Sequence, residues 1–128
     1  MAARRIVIVL WSCGPDRADG ARLAAAPLVY AQAARALELD VEVHFTGTTV
    51  RWLFEGVAAD AFTDRALSKT VLDYLRETHA AGATLYACAM ALGEHRHGET
   101  LIAEVAGVAG ATTVIDHTTQ DGTRTLVF

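Results

Sequence analysis

The hydrophobic positions along the chain predict alternating strands and helices. Arg5–Trp11 (RIVIVLW) is a continuous run of β-branched and large apolar residues, typical of a parallel strand that is buried on both faces. Val41–Phe45 (VEVHF) alternates apolar and polar residues, and Thr84–Ala87 (TLYA) is a short uncharged run. Near the end of the chain the pattern predicts two more strands, Thr112–Ile115 and Thr125–Phe128. The direction of the second of these strands is left open.

Between these strands, apolar residues recur every three or four positions, which is the spacing of one helix face. Ala21–Leu39 is rich in alanine and amphipathic, and Pro27 either marks the start of this helix or kinks it. Ser68 is the predicted N-cap of a helix over Lys69–Ala81, and Gly82 is its predicted stop. The remaining predicted helical segments are Val50–Phe54, Ala89–Leu92 and Glu99–Val108.

This order of elements predicts an α/β fold. A β-α-β-α-β-α-β chain with a terminal strand builds a mostly parallel sheet with right-handed crossovers and helices on both faces, in three layers. The length of 128 residues fits one domain over positions 1–128. In such sheets, ligands bind beyond the carboxyl ends of the strands, where the direction of winding reverses. Cys13, His44, Thr46 and Cys88 are therefore expected to project from one edge.

Composition and charge narrow the function classes. Hydrophobic residues make up 52% of the chain, which leaves apolar surface for a homo-oligomer to bury. The net charge is −4 and the basic residues are scattered, so we expect no nucleic-acid partner. The longest uncharged stretch, Ala80–Gly93, is too short to span a membrane, and Ile6–Trp11 is too short for a signal-peptide core. We therefore expect a cytoplasmic protein without a membrane partner, whose two cysteines stay reduced.

Cys88 is the strongest candidate for a reactive residue. It follows the predicted strand Thr84–Ala87, and helix-forming residues come directly after it. The N–H groups at the start of a helix favour a thiolate over a thiol, which would make Cys88 nucleophilic. The alternative is that Cys88 is a small buried hydrophobe, as most free cysteines are.

The segment Glu94–Gly98 (EHRHG) supplies two more candidates. Because imidazole and thiolate suit zinc or copper, His95 and His97 are candidate metal ligands together with Cys88, although a dense ligand pattern such as C-x-x-C is absent. In a second interpretation this segment is a cationic patch that favours the thiolate of Cys88. In a third it is an exposed polar loop. The isolated His44 is expected to be a packing or capping residue.

Cys13 lies in a Gly-Pro loop after the first strand. If the first and third strands are neighbours, as in the flavodoxin-like order, Cys13 would be placed to resolve an oxidised Cys88 as a disulfide. The same loop equally permits an unreactive thiol. The loop lacks the G-x-G-x-x-G spacing, and the chain contains no Walker motif and no G-x-S-x-G elbow, so dinucleotide binding and serine hydrolysis are not predicted.

Three segments resemble the DsrE/DsrF-like family, small α/β proteins that include subunits of bacterial sulfur-relay complexes. They are RIVIVLW (Arg5–Trp11), VEVHFTGTTVRWL (Val41–Leu53) and GATLYACAMAL (Gly82–Leu92). The resemblance implies a homotrimer or homohexamer. It also implies a cysteine that, in sulfur-transferring members, receives sulfane sulfur as a persulfide from a small carrier protein and passes it on. The matching residue is Cys88, whereas Cys13 and EHRHG depart from the family pattern.

The leading hypothesis is therefore a sulfur carrier or sulfurtransferase-like protein that holds a persulfide on Cys88, a chemistry that requires no cofactor. One alternative is an oligomeric module that binds a metal or small ligand through Cys88, His95 and His97. Another is a non-catalytic assembly subunit in which Cys88 only packs.

Overall fold

The computed structural model describes residues 2–128. Its centre is a five-stranded sheet in which every neighbouring pair of strands is parallel, and the strand order is β4-β3-β2-β1-β5. This arrangement confirms the predicted α/β fold class. The strands are β1 (Arg5–Leu10), β2 (Asp40–Phe45), β3 (Thr84–Cys88), β4 (Val105–Ala109) and β5 (Thr123–Val127).

Helical segments connect the strands. The first α-helix runs through Pro27, so the proline neither starts nor ends it. None of the helices between residues 2 and 128 has both the length and the apolar character needed to cross a membrane. The α-helices are α1 (Gly20–Ala36), α2 (Val71–Ala80), α3 (Ala89–His95) and α4 (Ala111–Thr118), and two short 3₁₀ helices cover Gly47–Leu53 and Ala58–Asp60.

The strand order determines the side of the sheet on which each connection lies. From β1 to β4 the chain moves stepwise in one direction, so right-handed crossovers place α1, α2 and α3 on the same face. We call it the core face, because these helices share one apolar cluster with the sheet through residues such as Leu28, Leu75 and Leu92. The connection from β4 runs back across the sheet to β5, which lies beyond β1. Handedness therefore places α4 on the opposite face, which we call the second face.

The second face is thinly covered. It carries Val9, Glu42, His44 and Tyr86, which the strand register aligns on the same side of the sheet. The covering element is α4, and no residue of α4 is buried. Ile115 on this helix remains 63% exposed. A single short helix across several strands leaves room between itself and the strand ends, and the candidate site lies there.

The predictions for the last third of the chain were partly wrong. Glu99–Val108 was expected to be a helix, but it is a loop followed by β4. The backbone of this loop is extended next to Leu53 and Phe54. Leu101 forms an isolated antiparallel bridge with Phe54, and the Ile102 N–H donates to the Leu53 carbonyl at 2.8 Å. Thr112–Ile115 was expected to be a strand and lies inside α4.

The second error has a clear physical cause. β-branched residues favour strands only where strand neighbours surround them, so their propensity yields to tertiary context. Ala111, Val114 and Ile115 follow helical spacing, and all three line the same pocket. The last strand was predicted with its direction open, and it pairs in parallel with β1.

The start of α2 also differs from the prediction. Ser68 was expected to be the N-cap, but Thr70 occupies that position. The Thr70 hydroxyl accepts a hydrogen bond from the Asp73 N–H at 3.1 Å, and the Asp73 carboxylate accepts one from the Thr70 N–H at 2.9 Å. This reciprocal capping box satisfies two backbone donors, whereas Ser68 bonds to Asp64 instead. Gly82 ends the segment with a φ of +103°, which confirms the predicted stop.

Candidate functional site

The connections that leave β3 and β4 diverge. β3 leads into α3 on the core face, whereas β4 leads into α4 on the second face. Neighbouring strands whose connections go to opposite sides open a crevice at their carboxyl ends, and ligands of open α/β sheets bind in such crevices. Cys88 ends β3, Ala109 ends β4, and the two residues are paired in register. The candidate thiol therefore lies at the switch point of the sheet.

A pocket of about 320 Å³ occupies this crevice. Ligand pockets in proteins begin at about this volume. Most of its lining is apolar, and it contains no Asp, Glu, Lys or Arg from residues 2–128. The carboxyl ends of the first three strands and the residues just beyond them contribute Val9, Trp11, His44, Thr46, Cys88 and Met90. β4 and the start of α4 contribute Ala109, Gly110, Ala111, Val114 and Ile115.

Cys88 is a free, half-buried cysteine on the wall of this pocket. A helix begins directly after it, as predicted, but α3 contains only seven residues. So short a helix adds little electrostatic stabilisation to a thiolate. The access of Cys88 to the pocket is therefore more informative about its chemistry than the helix is.

Next to the pocket, the second face carries a cluster of ionisable side chains, of which two are buried. Oε1 of Glu42 lies 3.0 Å from Nε2 of His44 and 2.7 Å from Nδ1 of His117, which reaches down from α4. Glu42 is 7% exposed and His44 is 1% exposed, and the His44 ring stacks on Tyr86 with a centroid distance of 5.1 Å. A carboxylate this deeply buried requires compensating partners, and the two imidazoles supply them.

The protonation of this cluster follows from its hydrogen bonds. Burial raises the pKa of Glu42, but the hydrogen bonds and charges of His44 and His117 outweigh burial and hold that pKa below its usual value. An ionised carboxylate only accepts hydrogen bonds, so Nε2 of His44 and Nδ1 of His117 each carry a proton. The other nitrogen of a neutral His44 ring, Nδ1, is then a proton acceptor.

Cys13 does not join Cys88. The flavodoxin-like order that would make β1 and β3 neighbours does not occur, because β2 lies between them. Cys13 is 3% exposed and belongs to the apolar cluster of the core face, and its carbonyl accepts a hydrogen bond from Nε1 of Trp52 at 2.7 Å. Cys13 is not among the residues that line the Cys88 pocket, and both thiols are free. The arrangement does not support Cys13 as a resolving thiol.

The two cysteines should therefore differ strongly in reactivity. Burial raises the pKa of the Cys13 thiol to about 11, so at pH 8 only about one Cys13 in a thousand is a thiolate. We expect iodoacetamide to modify Cys88 in the native protein, whereas Cys13 should react only after unfolding in urea. Mass spectrometry of the native and unfolded protein, sampled over time, measures both rates. Equal rates in the native protein would contradict the burial of Cys13.

His95 and His97 lie in another place. They line a separate, open pocket with Arg51 and Glu99, and the backbone N–H of His97 donates to the Glu99 carboxylate at 3.0 Å. Across residues 2–128, no group of three or more His, Cys, Asp or Glu side chains is arranged to hold a metal ion. The structure therefore does not bring Cys88, His95 and His97 together as a ligand set, and it does not place this segment in the Cys88 pocket.

Sequence reasoning missed the role of Glu42, His117 and the β4–α4 wall of the pocket. Glu42 was detectable, because a carboxylate within an alternating strand is unusual and shares its face with His44. His117 was not detectable as a partner, because Thr112–Ile115, just before it, was predicted to be a strand and not part of the helix that carries it.

Comparisons with known proteins agree with this fold and identify the family. The sequence model of the DsrE/DsrF-like family matches residues 9–128. The fold is similar to the crystal structure of the ychN protein from E. coli, with a TM-score of 0.72 and 16% sequence identity over 100% of both chains. At that identity the similarity concerns the fold alone. The comparison with curated proteins returned no match. Because the family match extends over most of the sequence, the chain belongs to the DsrE/DsrF-like family.

Proposed function

We propose that this protein is a sulfur carrier that accepts sulfane sulfur on Cys88 as a persulfide. The observation that carries the proposal is a half-buried thiol at the switch point of the sheet, opening into a pocket of about 320 Å³. Family membership adds to it, since the family includes sulfur-relay subunits. Cys13, buried in the core and distant from the pocket, has no part in the transfer.

The transfer is a thiol exchange in which the total oxidation level of sulfur does not change. The Cys88 thiol loses its proton, and the thiolate attacks the outer sulfur of a persulfide R–S–SH. A new S–S bond forms at Cys88 as the donor S–S bond breaks, and R–S⁻ leaves with the electron pair and takes up a proton. The products are Cys88–S–SH and R–SH. The reverse exchange with another thiol passes the sulfur on.

The pocket chemistry indicates how the sulfur is delivered. Its lining offers apolar contacts and, among residues 2–128, no lysine or arginine side chain that would neutralise an anion. A doubly charged donor such as thiosulfate would lose hydration there without compensation. A cysteine persulfide on a small carrier protein brings a short, weakly charged group into the pocket and suits this lining better.

The surroundings of the pocket support the proposal of a homotrimer or homohexamer. Trp11, Met90 and Ile115 line the pocket and are 64%, 80% and 63% exposed. Large apolar side chains that cluster on a surface typically mark a protein interface. We place this assembly in the cytoplasm, where cysteines stay reduced.

Both half-reactions can be followed with a donor protein whose persulfide carries radioactive sulfur. We expect the reduced protein to gain up to one label per chain, to retain it through gel filtration, and then to release it to an added low-molecular-weight thiol. A protein first alkylated under native conditions is the matched control and should gain no label. Failure of the unblocked protein to gain label from such a donor would overturn the proposal.

The exposed apolar residues around the pocket also favour a second candidate function, a non-catalytic assembly subunit. In that case Trp11, Met90 and Ile115 would form an interface and Cys88 would only pack. The two candidates differ in the labelling experiment. An assembly subunit would form the oligomer with Cys88 alkylated or free and would carry no labelled sulfur in either state.

A further inference from the structure

The sulfur-carrier proposal does not use the ionisable cluster formed by the buried Glu42 and His44 and the half-buried His117. Buried ionisable groups are unfavourable unless they are fully paired, so their presence beside a reactive thiol requires an explanation. Glu42 receives hydrogen bonds from both imidazoles, and no buried side-chain nitrogen or oxygen in residues 2–128 is left without a partner. The cluster is thus a complete hydrogen-bonded unit, and its inner imidazole, His44, also lines the Cys88 pocket.

The strand register brings His44 close to Cys88. His44 is paired with Tyr86, and Cys88 lies two residues further along the same strand and on the same side of the sheet. Such diagonal neighbours are about 7 Å apart, a gap that an imidazole crosses directly or through one water molecule. Stacking on Tyr86 restricts rotation of the His44 ring, and the bond to Glu42 fixes the orientation of its nitrogens.

We propose that His44 is the proton acceptor for the Cys88 thiol and that Glu42 is the residue that positions it. In this arrangement the Glu42 carboxylate holds the proton on Nε2 of His44, which leaves Nδ1 unprotonated. When His44 takes a proton from Cys88, the same carboxylate stabilises the resulting imidazolium. Carboxylates support histidines in this way at other thiol and hydroxyl nucleophiles.

The proton balance of the transfer is then complete within the site. The Cys88 proton moves to Nδ1 of His44, and the thiolate attacks the outer sulfur of the donor persulfide. The departing R–S⁻ recovers that proton from the His44 imidazolium and leaves as R–SH. The site needs no external acid, base or oxidant, because the one proton passes from Cys88 to His44 and then to R–S⁻.

Titratable and charged groups on three elements surround His44. On β2 the group next to His44 is Glu42, and on β3 the groups are Tyr86 and Cys88. On α4, His117 shares the Glu42 carboxylate with His44. Arg5 and Asp40 lie near Glu42 at the opposite end of the second face, and both line a pocket with it. Glu42 is thus the charged group in direct contact with His44.

The inference rests on Cys88 being the nucleophile of the proposed function, but it can be tested without sulfur chemistry. Iodoacetamide is a neutral reagent that reports the thiolate fraction and nucleophilicity of Cys88 at each pH. For an isolated thiol, with a pKa of about 8.5, the alkylation rate should fall tenfold for each pH unit below that value. We expect wild-type Cys88 to keep a measurable plateau near neutral pH, because His44 holds its proton there.

His44→Gln should remove this plateau and lower the rate at pH 7 by about tenfold or more, whereas above about pH 9 it should match the wild type because solvent alone then deprotonates the thiol. Glu42→Gln should produce the same pH-dependent loss in a smaller amount. His97→Gln is the matched control. It removes an exposed imidazole that lies in a separate pocket and bonds to neither Glu42 nor His44, and should leave the rate within about twofold.

Three results would overturn the inference. They are a wild-type profile that fits an isolated thiol, a rate loss in His44→Gln that is equal at all pH values, and an equal loss in His97→Gln. The wild-type profile decides the matter even if a variant fails to fold. A plateau that depends on His44, found in a protein that accepts no labelled sulfur, would refute the sulfur-carrier function while leaving the proton acceptor in place.

Discussion

Cys88→Ser should reduce persulfide formation on the protein to the background of the donor alone. A serine hydroxyl cannot form the S–S bond that holds the transferred sulfur, and its pKa is too high to ionise near neutral pH. The side chains are similar in size and Cys88 is half-buried, so the fold should survive with a change in unfolding free energy of about 1 kcal/mol or less. Intact mass after reaction with a persulfide donor measures the effect.

Cys13→Ser is the matched control for this prediction. It removes the other cysteine of the chain and places a hydroxyl in the core, where Cys13 is 3% exposed. We expect it to lose stability by about 1 to 3 kcal/mol but to accept sulfur at the wild-type level. Sulfur acceptance that fails in Cys13→Ser and persists in Cys88→Ser would reverse the assignment of the two thiols.

Gly20→Ala should lower the free energy of unfolding by about 2 kcal/mol, although alanine is the better helix former. A Cβ at Gly20, the first residue of α1, would collide with the carbonyl oxygen of Gly14. The Gly14 loop cannot easily move away, because the neighbouring Cys13 carbonyl is bonded to Trp52 at 2.7 Å. The clash should therefore outweigh the gain in helix propensity. Urea unfolding at fixed protein concentration measures the change.

Gly93→Ala offers the opposite case in the same protein. Gly93 lies inside α3, and a Cβ added there would meet no atom within 4 Å. With no clash to oppose it, we expect this change to stabilise the protein by up to about 1 kcal/mol. Two glycine-to-alanine changes of opposite sign would show that close packing at Gly14, and not helix propensity, controls the effect at Gly20. A stabilised Gly20→Ala would contradict the packing of this loop.

Much of the fold was predictable because its first three strands carry strong local signals. RIVIVLW and VEVHF have the apolar runs and alternation of buried strands, and Gly82 marks the boundary before β3. The strand order was not predictable, since it depends on which edge β5 joins. The prediction for the last third of the chain failed in two places. Leu101 and Ile102 fit a helical pattern in the sequence but pack from a loop, and the β-branched residues of α4 form a helix that crosses the second face.

The candidate site was predictable in part for the same reason. Cys88 and His44 belong to well-predicted strands, and the rule for parallel sheets placed both at one edge. His44 was nevertheless expected to be a packing or capping residue, because its bond to Glu42 was missed and Thr112–Ile115, in the helix that carries His117, was predicted to be a strand. The sequence could not predict that Cys13 is separated from Cys88 or that His95 lies outside the pocket, because both depend on the strand order and the loop geometry.

The central claim, that Cys88 holds the transferred sulfur, can be tested on the unaltered protein by peptide mapping. Trypsin places the two cysteines in separate peptides, Ile6–Arg17 and Glu77–Arg96. The native protein is treated with a persulfide donor, capped with iodoacetamide and digested, and both peptides are examined by mass spectrometry. We predict one additional sulfur atom on Glu77–Arg96 and none on Ile6–Arg17. Additional sulfur on Ile6–Arg17 alone, or on neither peptide, would contradict the account.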